Sequence, residues 1–505
     1  MDNKLKKVEQ YSNPNYEIKP YNSEKPLLID FINNVQLSPK SNVPWVVYEN
    51  KTTVFKPMIL SDFLKNGITN EGKILNYIIV KNNETGNGFS IFCYDNGLYK
   101  KMAADEFKGI IRKFIPQLMR TKRSVDEIYA DLISEDKFID EKDLNSNEQF
   151  INFQDILLDI KSLKKYPHTP KFLSTIQIPI KYEDIENCND YCPVFDNYIN
   201  TLCDNDQDEI KILMQCIGLS ISNVYGYRIK KALFLVGKGD TGKSQIKKLV
   251  ETLLGQQNIS TVDLKVLNSR FGKSAMYGKR LVGCNDMSYE TIKELDIFKN
   301  MTGGDNISLE FKNGGFIDYT YKGFIWFNCN SLPTFGGDKG KWVYNRMIPL
   351  ICKNPIPKEK QDKMLFEKMM KEKNVIVKKA IFALKELIDN NYNMELTDEM
   401  KNTLNDYETE NSTLLTFTRE CCIDASQLKV KTKRSTFNKC YASWNKLYND
   451  GKGKVGNNTM KKVLEERYKE TYRLSGGIWY MDKLAIKPEV QEELGVYDNN
   501  NNYIN

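Results

Sequence analysis

The sequence predicts an α/β protein: a strand-and-helix core built on a phosphate-binding loop, an α+β region before it and a basic, mostly helical module after it. Three observations predict this. First, the apolar run 232–236 passes directly into Gly237-Lys238-Gly239-Asp240-Thr241-Gly242-Lys243-Ser244, and then into an amphipathic stretch with Ile246, Leu249, Val250, Leu253 and Leu254. Second, two further apolar runs, 279–286 and 324–330, each end in a polar residue. Third, residues 425–487 hold fifteen Lys/Arg against five Asp/Glu, a local excess of +10 in a chain whose net charge is +7.

At 505 residues the chain exceeds one hydrophobic core, so three or four domains are expected. It has no apolar run long enough to span a bilayer, and Met1-Asp2-Asn3-Lys4 opens no signal peptide, so a cytoplasmic protein without membrane contact is expected. The eleven cysteines include no C-x-x-C pair, and Cys188 and Cys192 have no partners to complete a zinc site. Reduced thiols follow. The single histidine, His168, excludes chemistry that needs paired histidines. Flanked by Pro167 and Pro170, it reads as a hydrogen-bonded turn residue.

Taken in order, residues 1–145 contain no chemical motif and read as a small α+β domain. Strands are expected at 43–48 and 74–80, a hairpin over 89–99 turning at Asp95-Asn96-Gly97, and a helix over 104–119. The segment is short for a primase domain. Residues 146–225 form a second unit, proline-punctuated short strands followed by helices, the last over 208–220. Asp204 and Asp206 read as a turn before that helix rather than as metal ligands.

The core follows at 226–360. Strand, glycine-rich loop and helix together are the setting in which G-x-x-x-x-G-K-[ST] binds a nucleoside triphosphate. Gly237, Gly239, Asp240, Thr241 and Gly242 let backbone N–H groups curl round phosphate, helped by the helix dipole. Lys243 can reach the β- and γ-phosphates and Ser244 can ligate Mg²⁺. Asp286, at the end of a strand over 279–286, can hold the Mg²⁺ shell and polarise water; Asn330, ending the strand over 324–330, can orient that water. Arg346 is placed to act as an arginine finger in a neighbouring subunit's site. Between the two strands, alternation on either side of Asn313-Gly314-Gly315 predicts a hairpin with Lys312 near its tip. It is either an ordinary surface hairpin or one that grips phosphates in a central pore.

Residues 361–410 read as a helical lid, with a polar linker over 395–411. Residues 411–490 then give a helix over 429–448, a turn at Gly451-Lys452-Gly453-Lys454, a helix capped by Asn457-Asn458 and running to Tyr468, and a hairpin over 472–486 turning at Gly476-Gly477. That is the order of a winged helix, with Asn458, Thr459, Lys461 and Lys462 opening the recognition helix toward DNA.

These motifs resemble superfamily 3 helicases, in the branch formed by the helicase part of poxvirus, phage and plasmid primase-helicases. Residues 237–244 resemble motif A, 279–286 motif B, 301–315 the pore-hairpin motif and 324–333 motif C, with Arg346 at the finger position. Residues 150–203 resemble the collar that precedes the motor. Asp286 follows Asn285 where motif B often has two adjacent acids. The resemblance implies an AAA+ P-loop ATPase core with N-terminal α+β and collar domains and a C-terminal winged helix. It also implies ATP and Mg²⁺, a homo-oligomeric ring with a hexamer expected, and 3′-to-5′ travel. The expected function is an ATP-dependent DNA helicase and replication initiator of a phage or mobile genetic element, single-stranded DNA passing through the pore, origin duplex at the winged helix, and host replication proteins as possible partners. The rivals are an ATP-switched DNA-binding regulator and a double-strand DNA translocase without unwinding.

Overall fold

The computed structural model describes residues 44–496 apart from 51, 70–71, 74, 83–87, 135–137, 288–290, 293–294, 336–341, 428–430, 450 and 452. The sequence readings at Val43, Ile74, Lys429 and Lys452 lie outside the described residues. The chain divides into two compact units. One runs to Glu186 and includes Ser308–Thr320; the other comprises Asn187–Ile307 and the residues from Tyr321 onward.

In the first unit, Leu98–Met102, Phe89–Asp95, Tyr77–Lys81 and Phe138–Asp140 form a four-stranded sheet in that order. The expected hairpin is present. Asn96 (φ 46°) and Gly97 (φ 85°) turn it in the left-handed region, which matches the right-handed twist of the flanking strands. A Cβ on Gly97 would meet the His168 ring at 2.7 Å, and His168 Nε2 bonds the Phe153 carbonyl at 2.9 Å. His168 is therefore hydrogen-bonded as expected, but it lies in the irregular stretch just before the turn at Pro170-Lys171. The expected helix over 104–119 stops at Lys113, and a single 3-10 turn, Gln117–Met119, follows. Pro116 accounts for the break, since the residue before a proline is steered away from the helical region. The core here joins Trp45, Leu60, Phe107, Phe114, Ile128 and Leu132, and Trp45 Nε1 donates to the Phe114 carbonyl at 2.9 Å. A three-stranded sheet, Lys165–Tyr166, Leu157–Asp159 and Phe150–Asn152, completes the strand-and-turn region.

The second unit holds a parallel sheet. We label its strands β1 (Ala232–Val236), β2 (Ile259–Ser260), β3 (Leu281–Val282), β4 (Phe324–Cys329) and β5 (Met347–Ile351). Their order is β2-β3-β4-β1-β5, with every neighbouring pair parallel. Every residue of β1 and β4 is buried, as parallel strands covered on both faces require. The strand expected over 279–286 is only Leu281–Val282. A Cβ on Gly283 would lie 1.8 Å from the Trp326 carbonyl oxygen, so the backbone there runs close against β4. It stays bonded to β4 beyond that point, the Cys284 carbonyl accepting from Asn328 N–H at 3.0 Å and Met287 N–H donating to the Asn328 carbonyl at 2.8 Å. Between those two bonds the chain carries one residue more than a regular parallel ladder spans, and the bulge at Asn285-Asp286 ends the regular strand.

Helix Lys373–Asp389 packs on helix Gln207–Ser220, close enough that a Cβ on Gly218 would meet the Ala380 carbonyl at 2.6 Å. The stretch read as a polar linker is instead helix Asp398–Glu410. Its Thr397 side chain caps the Met400 N–H, and Met400, Leu404 and Tyr407 are buried. Those three recur at helical spacing, which suffices to dock an otherwise polar helix.

The last part of the unit has its own core, including Leu414, Phe417, Phe437, Tyr441, Trp444, Met460, Leu464, Met481 and Ile486. Its order is helix Thr413–Cys421, strand Cys422–Asp424, helix Arg434–Asn449, helix Asn457–Tyr468, the hairpin Tyr472–Ser475 with Ile478–Met481, and strand Leu484–Ile486 paired back to Cys422–Asp424. The helix expected from residue 429 begins at Arg434. Before it, the Thr432 carbonyl accepts from Met481 N–H (2.9 Å) and the Thr432 hydroxyl from Ile486 N–H (3.0 Å), so that stretch is committed to strand bonds. Asn457 and Asn458 lie inside the next helix; the N-cap is Gly456, with no side-chain bond.

Candidate nucleotide-binding site

The site follows from the sheet order. β1 lies between β4 and β5 although β2 follows it in the chain, so the order reverses beside β1. In parallel sheets, ligands bind at such a reversal, beyond the carboxyl ends of the strands. β1 ends in the glycine-rich loop, β4 in Asn330, and the chain after β3 in Asp286. Because the strands are parallel, all three open on the same edge.

The loop's shape is fixed by its backbone. Gly242 (φ 93°) and Asp240 (φ 63°) take left-handed conformations, and a Cβ on Gly237 would strike the Cys352 carbonyl at 2.4 Å. Helix α1 (Lys243–Leu254) starts immediately afterwards, aiming its free N–H groups into the concavity. Lys243 is buried. Its ammonium donates to the carbonyls of Gly237 (2.5 Å) and Lys238 (2.8 Å) and to the Thr241 hydroxyl (3.1 Å), which holds the charge inside the loop. Tyr198 braces the outside, its hydroxyl donating to the Gly242 carbonyl at 2.8 Å.

A cleft of about 490 Å³ opens here, lined by Gly239, Asp240, Thr241, Gly242, Lys243, Ser244, Asn285, Asp286 and Asn330 together with Gln361, Asp362 and Lys363. Its size suits a small-molecule ligand. Ser244, Asp286 and Asn330 are exposed to it. A hydroxyl, a carboxylate and an amide oxygen are hard donors that suit Mg²⁺, which keeps several waters and takes few protein ligands. Among the described residues there is no cluster of three or more His, Cys, Asp or Glu that could hold a metal ion.

Sequence reasoning missed Asn328. It is fully buried; its amide donates to the Lys243 carbonyl at 3.0 Å and the Asn285 side chain at 3.3 Å, while its oxygen accepts from Trp326 Nε1 at 3.0 Å. One side chain thus ties the first turn of α1 to the segment bearing Asp286. Also missed were Gln361, Asp362 and Lys363, which approach the cleft from beyond β5. The Lys368 ammonium, 2.6 Å away, holds the Asp362 carboxyl below its usual range.

Arg346 does not line the cleft. It immediately precedes β5, whose first residue, Met347, pairs with Ala232 at the start of β1. That places it at the amino edge of the sheet, a strand length, about 16 Å, from the carboxyl edge. Its guanidinium donates to the Thr302 hydroxyl at 2.9 Å, and burial draws it below its ordinary range.

The hairpin is formed by Asn306–Glu310 and Phe316–Thr320. Its turn is wider than expected, with Phe311 N–H donating to the Gly315 carbonyl at 3.2 Å and Asn313 left-handed at φ 63°. Lys312 and Asn313 are exposed within it, beside an exposed Phe316 that the sequence reading did not single out. In the C-terminal module Asn458, Thr459, Lys461 and Lys462 stand exposed in the first turns of their helix. Lys461 and Lys462 pair with exposed acids one turn on, at 3.6 and 4.0 Å, pairs worth little in water.

Residues 82–204 match a family profile described as "D5 N terminal like". Residues 235–346 match one described as "Family of unknown function (DUF5906)". Among solved structures, "The A form apo structure of NrS-1 C terminal region-CTR" is similar at 12% identity, covering 82% of this chain and 96% of that one, with a TM-score of 0.46. "The apo structure of NrS-1 C terminal region (305-718)" is similar at 12% identity, covering 85% and 99%, with a TM-score of 0.45. Among the described residues, no helix is long and apolar enough to cross a membrane.

Proposed function

We propose that this chain is an ATP-driven DNA helicase of the superfamily 3, AAA+ type, and a replication initiator of a phage or mobile genetic element. The observation that carries the reading is a cleft lined together by the glycine-rich loop, Ser244, Asp286 and Asn330 at the carboxyl edge of a parallel sheet. Loop N–H groups and Lys243 would bind the β- and γ-phosphates, and Ser244 and Asp286 would hold Mg²⁺, which would neutralise phosphate charge. Asp286 would polarise, and Asn330 orient, the attacking water. Arg346 lies too far from its own cleft to touch a bound phosphate, which supports a role at a neighbouring copy's site and hence a ring, with six copies implied by the resemblance. Its bond to Thr302, at the end of the helix before the hairpin, offers a link from that interface to Lys312 and Asn313, which would grip single-stranded DNA. The C-terminal module, with its +10 excess and the element order of a winged helix, would hold duplex through Asn458, Thr459, Lys461 and Lys462. The D5-like match over residues 82–204 lies directly before the nucleotide site; it takes in the stretch 150–203 that resembles the collar and begins well before it.

The test is strand displacement on a forked duplex with ATP and Mg²⁺, with Lys243→Ala as control. Displacement lost in the variant supports the reading. Hydrolysis by the wild type without displacement would replace it with an ATP-switched DNA-binding protein or a double-strand translocase.

A further inference from the structure

The hairpin of the C-terminal module leaves three large apolar side chains in water: Leu474 (55% exposed), Ile478 (37%) and Trp479 (48%). Its register pairs Leu474 with Trp479 and Tyr472 with Met481. Side chains alternate along a strand, so these four share one face. The inner end of that face is core, with Met481 fully buried. The outer end, Leu474 and Trp479, continues past the core into solvent.

The surroundings of this face are basic. The Arg434 guanidinium lies 5.1 Å and the Lys461 ammonium 5.8 Å from the centroid of the Tyr472 ring. Lys461 belongs to the helix read above as the recognition helix. The face therefore runs from that helix, across Tyr472, to an exposed indole. Basic charge beside an exposed aromatic ring is how proteins engage unpaired bases, the cations meeting phosphate and the ring meeting a base.

The hairpin is also thin and stiff. Gly476 (φ 57°) and Gly477 (φ 78°) make a two-residue left-handed turn with open space around both. At its foot the buried Glu470 carboxylate accepts four backbone N–H groups, from Thr471 (3.0 Å), Asp482 (2.7 Å), Lys483 (3.0 Å) and Leu484 (2.7 Å). A face held this firmly keeps its position relative to the recognition helix.

We propose that Trp479, backed by Leu474, stacks on an unpaired base where a DNA duplex ends or forks, so that the module recognises the junction rather than duplex alone. This rests on the reading of the module as DNA-binding. The test uses the full chain, with labelled blunt duplex and a forked duplex carrying 2-aminopurine at its first unpaired position. The wild type is expected to prefer the fork and to quench the 2-aminopurine. Trp479→Ala should lose about tenfold in fork affinity, about 1.4 kcal/mol, together with the quenching, while binding blunt duplex as before. Trp479→Phe should retain most of both, and Lys461→Ala should weaken both DNAs alike. If Trp479→Ala binds the fork and quenches as the wild type does, the proposal is overturned and the face serves a protein contact instead. If the wild type binds neither DNA, the module reading fails and takes the proposal with it.

Discussion

Replacing Asn328 with alanine tests whether one buried amide holds the candidate nucleotide site together. The variant takes a partner from three groups at once: the Lys243 carbonyl, the Asn285 side chain and the Trp326 indole N–H. The Lys243 carbonyl still serves α1 and Asn285 still faces the cleft, so the buried indole N–H left without an acceptor carries most of the cost, and with the lost bonds the total should be roughly 2–3 kcal/mol. In a unit of this size that corresponds to a fall in Tm of roughly 5–10 °C. Differential scanning calorimetry measures it directly. Asn328→Asp provides the contrast, since it keeps the acceptor for Trp326 but turns an oxygen toward two oxygens. It should be at least as unstable. Below the melting range, ATP should bind Asn328→Ala more weakly, because the first turn of α1 loses its tether to the Asp286 segment. An alanine variant that melts with the wild type and binds ATP equally well would refute the argument.

Four further outcomes are expected. Burial, reinforced by Asp206 and Glu399, raises the Glu209 carboxyl from 4.5 to about 7. Its folded state therefore binds the extra proton, and stability present below pH 4.5 is lost as pH rises toward 7, by up to about 3 kcal/mol; Glu209→Gln should flatten that slope in melts between pH 4.5 and 8. Glu470→Gln removes a charged acceptor from four N–H groups and should cost the C-terminal module about 2–3 kcal/mol, read as an earlier calorimetric transition. Arg346→Ala should bind ATP normally yet lose hydrolysis; normal turnover would remove the interface argument. Lys312→Ala should hydrolyse ATP but fail in strand displacement, and full displacement would return the hairpin to an ordinary surface element.

Much of this was readable in the chain. The glycine-rich loop stood out because its glycines sit between a buried strand and an amphipathic helix, and Asp286 and Asn330 because they end apolar runs. The length of β3 was not readable: the extra residue at Asn285-Asp286, between the bonds that Cys284 and Met287 make to Asn328, shows only in the pairing across the sheet. Asn328 was overlooked because it lies within an apolar run and passes for a harmless interruption. The signal was present, since a polar side chain inside a buried strand must find partners. Helix Asp398–Glu410 was hidden by its polar composition, with only Met400, Leu404 and Tyr407 marking the buried stripe. Gln361, Asp362 and Lys363 follow no pattern at all; only the path of the chain beyond β5 brings them to the cleft.

The bonds of Lys243 bear on how a nucleotide would come and go. Its ammonium already has three oxygens of its own loop for company, so an arriving phosphate would exchange one set of partners for another instead of meeting a bare cation. Much of the attraction is then spent in substitution, and affinity stays moderate. On departure the ammonium has the same oxygens to return to, and the loop keeps its curvature without rebuilding. A site that swaps partners in this way is suited to repeated turnover more than to long residence.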